Sequence, residues 1–138
     1  MPPIDQDTPS VPIFQTSTFR FDTSERYAET IGFRRAGYTY TRGYGNPTLA
    51  AFEALMAELE GTEAAFSFAS GMAAIHTTVT SLARAGDRVV ASSELYGGTY
   101  SLLATVLPRY GIEVAVVDPH DLDRVAEALP GAALFYVE

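Results

Sequence analysis

Ala65-Phe66-Ser67-Phe68-Ala69-Ser70-Gly71-Met72-Ala73-Ala74-Ile75 changes its pattern halfway along. The first half is a short apolar run rich in Phe, which reads as a buried strand over 64–69. Ser70-Gly71 interrupts the run, and a helical pattern opens at once, read as a helix over 71–85 with Gly86 as its stop. The first N–H groups of a helix lack internal partners and sit at the positive end of its dipole, so a strand–turn–helix of this kind can hold an anion. Ser70 reads as the cap, and Gly71 lets the backbone come close to a ligand.

The elements on either side repeat the alternation. Downstream come a strand Arg88–Ser92, a turn Glu94-Leu95-Tyr96-Gly97-Gly98, and a helix from Thr99 to Leu107 broken by Pro108 and Gly111. A strand over 112–117, a helix over 121–129 introduced by Asp118-Pro119, and a strand over 132–137 follow. Upstream, Asn46-Pro47-Thr48 opens a helix with Asn as cap and Pro at its first position. Leu49, Phe52, Leu55, Met56 and Leu59 share one face of it, and Gly61 ends it. The expected fold class is α/β, a mostly parallel sheet covered by helices.

Residues 1–45 read as a separate stretch: an extended arm over 1–18 carrying Pro2, Pro3, Pro9 and Pro12, then a short helix opened by Thr23-Ser24-Glu25-Arg26, then a loop over 37–45. Ile13, Phe14 and Phe19 suit an arm that gains its burial on another subunit. Residues 46–138 read as one unit. Ligands of parallel sheets sit at the carboxyl ends of the strands, so Ser70-Gly71, Tyr96 and Glu138 are expected to share one rim.

Composition narrows the function classes. The 138 residues are 47% hydrophobic with a formal net charge of -8, which suits a globular domain and argues against an extended nucleic-acid surface. There is no membrane-length apolar run, no signal-peptide pattern and no cysteine, so a cytoplasmic protein without disulfide or thiolate chemistry is expected. No cluster has metal-ligand spacing. All nine basic residues are arginine, so any mechanism that needs a lysine amine cannot be completed within these residues.

A phosphate at Ser70-Gly71-Met72 would have few backbone donors, because G-x-G-x-x-G and G-x-x-x-x-G-K-[ST] are both absent. Tyr40 and Arg42 are candidates to help, a phenol and a bidentate guanidinium; the competing reading is an exposed aromatic loop. Tyr96 at a sheet rim can stack on a flat ligand and handle a proton with its hydroxyl; the competing reading is a half-buried aromatic beside a glycine turn. His76 reads as a packed or hydrogen-bonded residue, and His120 as a solvated one.

Taken in order, Pro12-Ile13-Phe14-Gln15-Thr16-Ser17-Thr18-Phe19, Tyr40-Thr41-Arg42, Asn46-Pro47-Thr48, Leu59-Glu60-Gly61, Ser70-Gly71-Met72-Ala73-Ala74, Gly86-Asp87 and Tyr96-Gly97-Gly98-Thr99 are far more specific than any one of them. Together they resemble the N-terminal part of the Cys/Met-metabolism pyridoxal-phosphate enzymes, which include cystathionine gamma-synthase, cystathionine lyases, methionine gamma-lyase and O-acetylhomoserine sulfhydrylase. The resemblance covers roughly residues 11–138. It implies the aminotransferase-like fold type I, here an arm plus the first part of the sheet, with sites shared between subunits of a tetramer.

It further implies pyridoxal 5'-phosphate as cofactor and elimination or replacement at the beta or gamma carbon of an amino-acid substrate. Ser70, Gly71 and Met72 correspond to the phosphate turn, Tyr40 and Arg42 to residues reaching a neighbouring subunit's phosphate, and Tyr96 to the ring-stacking, proton-handling tyrosine. Two departures stand out. Gly43-Tyr44-Gly45 puts three residues between Arg42 and Asn46 where the family has two, and the family's Schiff-base lysine has no counterpart here. A fragment of such an enzyme is the leading expectation. A non-catalytic chain lending Tyr40 and Arg42 to a partner, completed by a C-terminal chain or a homologue, and an independent phosphate-binding module are the alternatives.

Overall fold

A computed structural model describes residues 10–138, so Pro2, Pro3 and Pro9 of the expected arm lie outside the described residues. The chain forms two compact units, which divide after Ser67.

In the first unit the helices are α1 (Ser24–Ile31), α2 (Thr41–Tyr44) and α3 (Pro47–Glu60). Thr23 caps α1 by accepting from the Arg26 N–H, as the Thr-Ser-Glu-Arg pattern predicts. Asn46 caps α3 by accepting from the Thr48 N–H, and Gly61 closes it in the left-handed conformation at φ 63° that glycine adopts without strain. The expected apolar face exists, but Leu49, Phe52, Leu55 and Leu59 are exposed along it. Within the expected loop 37–45, Thr41–Tyr44 closes into one helical turn.

One expectation fails here. The 64–69 run forms no strand and is not buried: Phe66 is 79% exposed. A strand needs a neighbour for its ladder, and among the described residues this run has none. Ser67 instead gives both its N–H and its hydroxyl to Glu53 Oε1, at 2.8 and 2.7 Å. Residues 12–19 dock on their own chain, with Phe14, Phe19 and Tyr38 stacked in tilted pairs at 6.4 and 5.8 Å, while Ile13 stays 76% exposed.

The second unit holds α4 (Gly71–Leu82), β1 (Arg88–Ser92), α5 (Gly97–Ser101), β2 (Glu113–Val117), α6 (Leu122–Ala128) and β3 (Leu134–Tyr136). The three strands are parallel in the order β2-β1-β3. Val89, Val90 and Ala91 of β1 are fully buried because β1 has a neighbour on each edge. Val79 and Ala83, Val89 and Ala91, and Leu102, Leu103, Leu107 and Ile112 make one apolar core.

Helix α4 ends at Leu82, short of 85. Ala83 is drawn into the core in extended conformation, and Thr80 and Ser81 hydroxyls bond back to His76 and Thr78 carbonyls, competing with the ladder. The helix expected over 99–107 starts at Gly97, widens into a π turn at Leu102–Val106 and tightens to a 3-10 turn at Leu107–Tyr110. Pro108 explains the widening: its ring clashes with the carbonyl four residues back and it has no N–H to give. Asp118-Pro119 forms a turn, and Asp121 is the cap of α6.

Leu103 is 1% exposed and lies in the centre of that core. Leu103→Ala is expected to cost about 3 kcal/mol of stability, read as a lowered urea midpoint; a midpoint unchanged from wild type would mean the core does not depend on this helix.

Candidate functional site

The N-terminus of α4 is built as the sequence implies. Ser70 is extended (φ -160°, ψ 159°), and its Oγ accepts the Ala73 N–H at 3.1 Å. Ala74 donates to the Ser70 carbonyl, which leaves the Gly71 and Met72 N–H groups with no partner among the described residues. No atom lies within 4 Å of where a Gly71 Cβ would stand, so the approach to these donors is open.

From β1 the chain crosses to β2 on one side, then back past β1 to β3 on the other, and the carboxyl ends of these parallel strands form the rim at which α/β sheets bind ligands. Tyr96 follows β1 and Glu138 follows β3. Glu138 Oε2 accepts the Tyr96 N–H at 2.5 Å, and Oε1 accepts the Thr99 hydroxyl at 2.7 Å and the Tyr136 hydroxyl at 2.9 Å. The Thr99 hydroxyl, followed by the Tyr96 N–H, holds the Glu138 carboxyl below the ordinary carboxylate range. Burial first, then the Glu138 carboxylate, pushes the Tyr136 phenol up.

Tyr96 is 67% exposed, so the half-buried alternative is set aside. Its ring lies over Gly98: a Cβ there would stand 2.6 Å from Tyr96 Cε1 and 3.0 Å from Met72 Sδ. The absence of that Cβ brings the tyrosine ring and the Met72 thioether of the α4 turn to one place.

Within the first unit, Tyr40 and Arg42 border an open cleft of about 380 Å³ whose other wall is the 14–17 strap. The Arg42 guanidinium lies 5.9 Å from the Tyr40 ring centroid and makes no ion pair among the described residues. The strap is held by main-chain bonds, Phe19 N–H to the Thr39 carbonyl and Thr41 N–H to the Ser17 carbonyl. Asn46 Nδ2 donates to the Phe14 carbonyl, and Thr48 Oγ1 donates to the Pro12 carbonyl while accepting the Phe14 N–H.

Of the expected site residues, Ser70, Gly71, Met72 and Tyr96 come together in the second unit with Glu138, and Tyr40 and Arg42 come together in the first. His76 is exposed and makes no side-chain hydrogen bond among the described residues, which overturns the packed or bonded reading. His120 is largely exposed, its Nε2 3.5 Å from Glu94. In the sequence Gly98 and Thr99 carry only turn, helix-start and motif roles, and Asn46 only its capping role. Thr99, three residues past Tyr96 in a Gly-Gly-Thr run, carried a signal: a hydroxyl in the first turn of a helix facing an acid at a strand end. No group of acidic or histidine side chains among the described residues could hold a metal.

A family model described as Cys/Met metabolism PLP-dependent enzyme matches residues 2–138. The chain is 46% identical over 122 residues to an L-methionine gamma-lyase of Fusobacterium nucleatum subsp. polymorphum, covering 88% of this chain and 31% of that protein. It is 43% identical over 130 residues to a cystathionine gamma-lyase of Bacillus subtilis, covering 94% and 32%. Among solved structures, cystathionine gamma-lyase of Lactobacillus plantarum in complex with L-serine superposes with a TM-score of 0.77 at 41% identity, covering 93% of this chain and 31% of that one. A Campylobacter jejuni protein assigned as an O-acetylhomoserine (thiol)-lyase, solved with N'-pyridoxyl-lysine-5'-monophosphate, reaches 0.84 at 32% identity, covering 93% and 32%. The chain thus spans about a third of the length of the relatives it matches.

The Glu138 clasp has a pH signature. A carboxyl whose folded pKa is depressed contributes stability that is full above its unfolded pKa and is lost as pH falls through the folded one. The Tm difference between wild type and Glu138→Gln is therefore expected to be largest near neutrality and to close below the ordinary carboxylate range. A difference that stays constant through the acid range would contradict the clasp.

Proposed function

This chain belongs to the Cys/Met metabolism PLP-dependent enzyme family, and from that premise we propose that it supplies the phosphate turn and the ring-stacking tyrosine of a pyridoxal-phosphate enzyme acting on sulfur amino acids. The observation that carries the proposal is the α4 N-terminus: two unpartnered N–H groups, Gly71 and Met72, with the Tyr96 ring beside Met72. This donor set fits a phosphate dianion, which a helix dipole and free amides bind without a metal.

In this reading Gly71 and Met72 donate to the phosphate, and Ser70 holds the turn in shape. Tyr96 covers the ring face, and its exposed hydroxyl is placed to move a proton between substrate and solvent. Tyr40 and Arg42 hold the phosphate of a second copy in a homo-oligomer, the guanidinium adding a bidentate contact. When bound, the cofactor supplies an electron sink for charge that develops as a bond at the substrate alpha carbon breaks. The amine that would attach it covalently is not among these 138 residues, which contain no lysine. Substrates are amino acids with a leaving group on the beta or gamma carbon, as the names of the relatives suggest.

Gly71→Pro isolates the carrying observation. Proline suits the first position of a helix, the extended Ser70 before it is compatible, and the substitution removes one N–H donor. In protein expressed from the complete reading frame, pyridoxal phosphate affinity is expected to fall roughly tenfold or more, as for the loss of a charge-assisted hydrogen bond, with Tm retained. Unchanged affinity would remove the phosphate from this turn.

A further inference from the structure

We infer that Glu138 is a positioning residue that sets the place of the Tyr96 ring; the inference rests on the proposal that this ring lies on the cofactor. Tyr96 is the residue before the first turn of α5, and its own side chain makes no capping bond. The cap comes from another strand: the Glu138 carboxylate, past the end of β3, takes the Tyr96 N–H on one oxygen and the Thr99 hydroxyl on the other. A negative charge at a helix N-terminus is favourable there in its own right.

The carboxylate is in turn tied to the sheet. The Tyr136 hydroxyl donates to the oxygen that takes Thr99, and Tyr136 packs against the core. Thr99 is fully buried, so one of the three bonds is shielded from water. The Tyr96 ring, by contrast, is mostly exposed. What fixes it is its backbone root, held by Glu138, and the shelf left open at Gly98. Glu138 thus ties the segments that follow β1 and β3 to each other and aims the ring that projects from one of them.

The test is a double-mutant cycle read with pyridoxal phosphate as the probe, in protein from the complete reading frame. Glu138→Gln keeps the volume but loses the charge and an acceptor. It is expected to weaken pyridoxal phosphate binding roughly fivefold to tenfold, the scale of a misplaced aromatic stack, and to shift the absorbance maximum of the bound cofactor. In a Tyr96→Ala background the same substitution should cost little further affinity. Thr99→Ala should weaken binding in the same direction, and Thr99→Ser, which keeps the hydroxyl, should restore it. Equal losses with and without the Tyr96 ring would overturn the proposal, as would an unshifted spectrum. Should Glu138→Gln not fold, indistinguishable Thr99→Ala and Thr99→Ser proteins would overturn it instead. Tyr96→Ala with wild-type affinity would fail the parent reading, and the positioning role with it.

Discussion

Strand β1 is hydrogen-bonded on both edges, and the rest of its unit follows from that. A parallel neighbour on each side obliges the chain to cross over twice, once through α5 and once through α6, so both faces need cover and the strand itself is buried. The two crossovers run in opposite directions across the sheet and set the carboxyl ends of β1 and β3 side by side. Tyr96 follows one strand and Glu138 the other, and the Glu138 carboxylate joins the two segments through the Tyr96 N–H and the Thr99 hydroxyl. Polar groups are affordable there because each has a partner.

The first unit is organised by polar clasps rather than by a core. Asn46 uses both ends of its amide, one to cap α3 and one to hold the Phe14 carbonyl. Thr48 similarly grips Pro12 and Phe14. These side chains are short and sit in a helix's first turn, where free main-chain groups are near. The strap they hold forms a wall of the Arg42 cleft, so residues that read as a helix start also shape a candidate anion-binding surface.

Much of this was legible in order along the chain. Caps and stops act locally: Thr23, Asn46, Ser70 and Gly61 do what their types and neighbours imply, and the parallel strands lie where short apolar runs alternate with helical ones. The misreadings share a cause. Phe66 and Phe68 look like a strand because their composition does, but a strand is made by its neighbour. The long helix after Tyr96 was cut at Pro108 because sequence rules treat proline as a stop, whereas packing of Leu103 and Leu107 carries the chain through in altered geometry.

The sequence by itself determined most of the element types, the capped turn at Ser70-Gly71-Met72 that is a candidate to hold an anion, the lack of a lysine amine among these residues, and through its ordered motifs the family. These depend on residue type and short spacing, which a linear chain carries in full. Tertiary structure alone decided that Glu138 caps the helix after Tyr96, that Gly98 is empty so that ring and Met72 can meet, and that Phe19 of the arm packs on Tyr38. Those pairings join residues roughly twenty to forty positions apart, and only the closure of strand register and crossovers brings such residues within bonding distance.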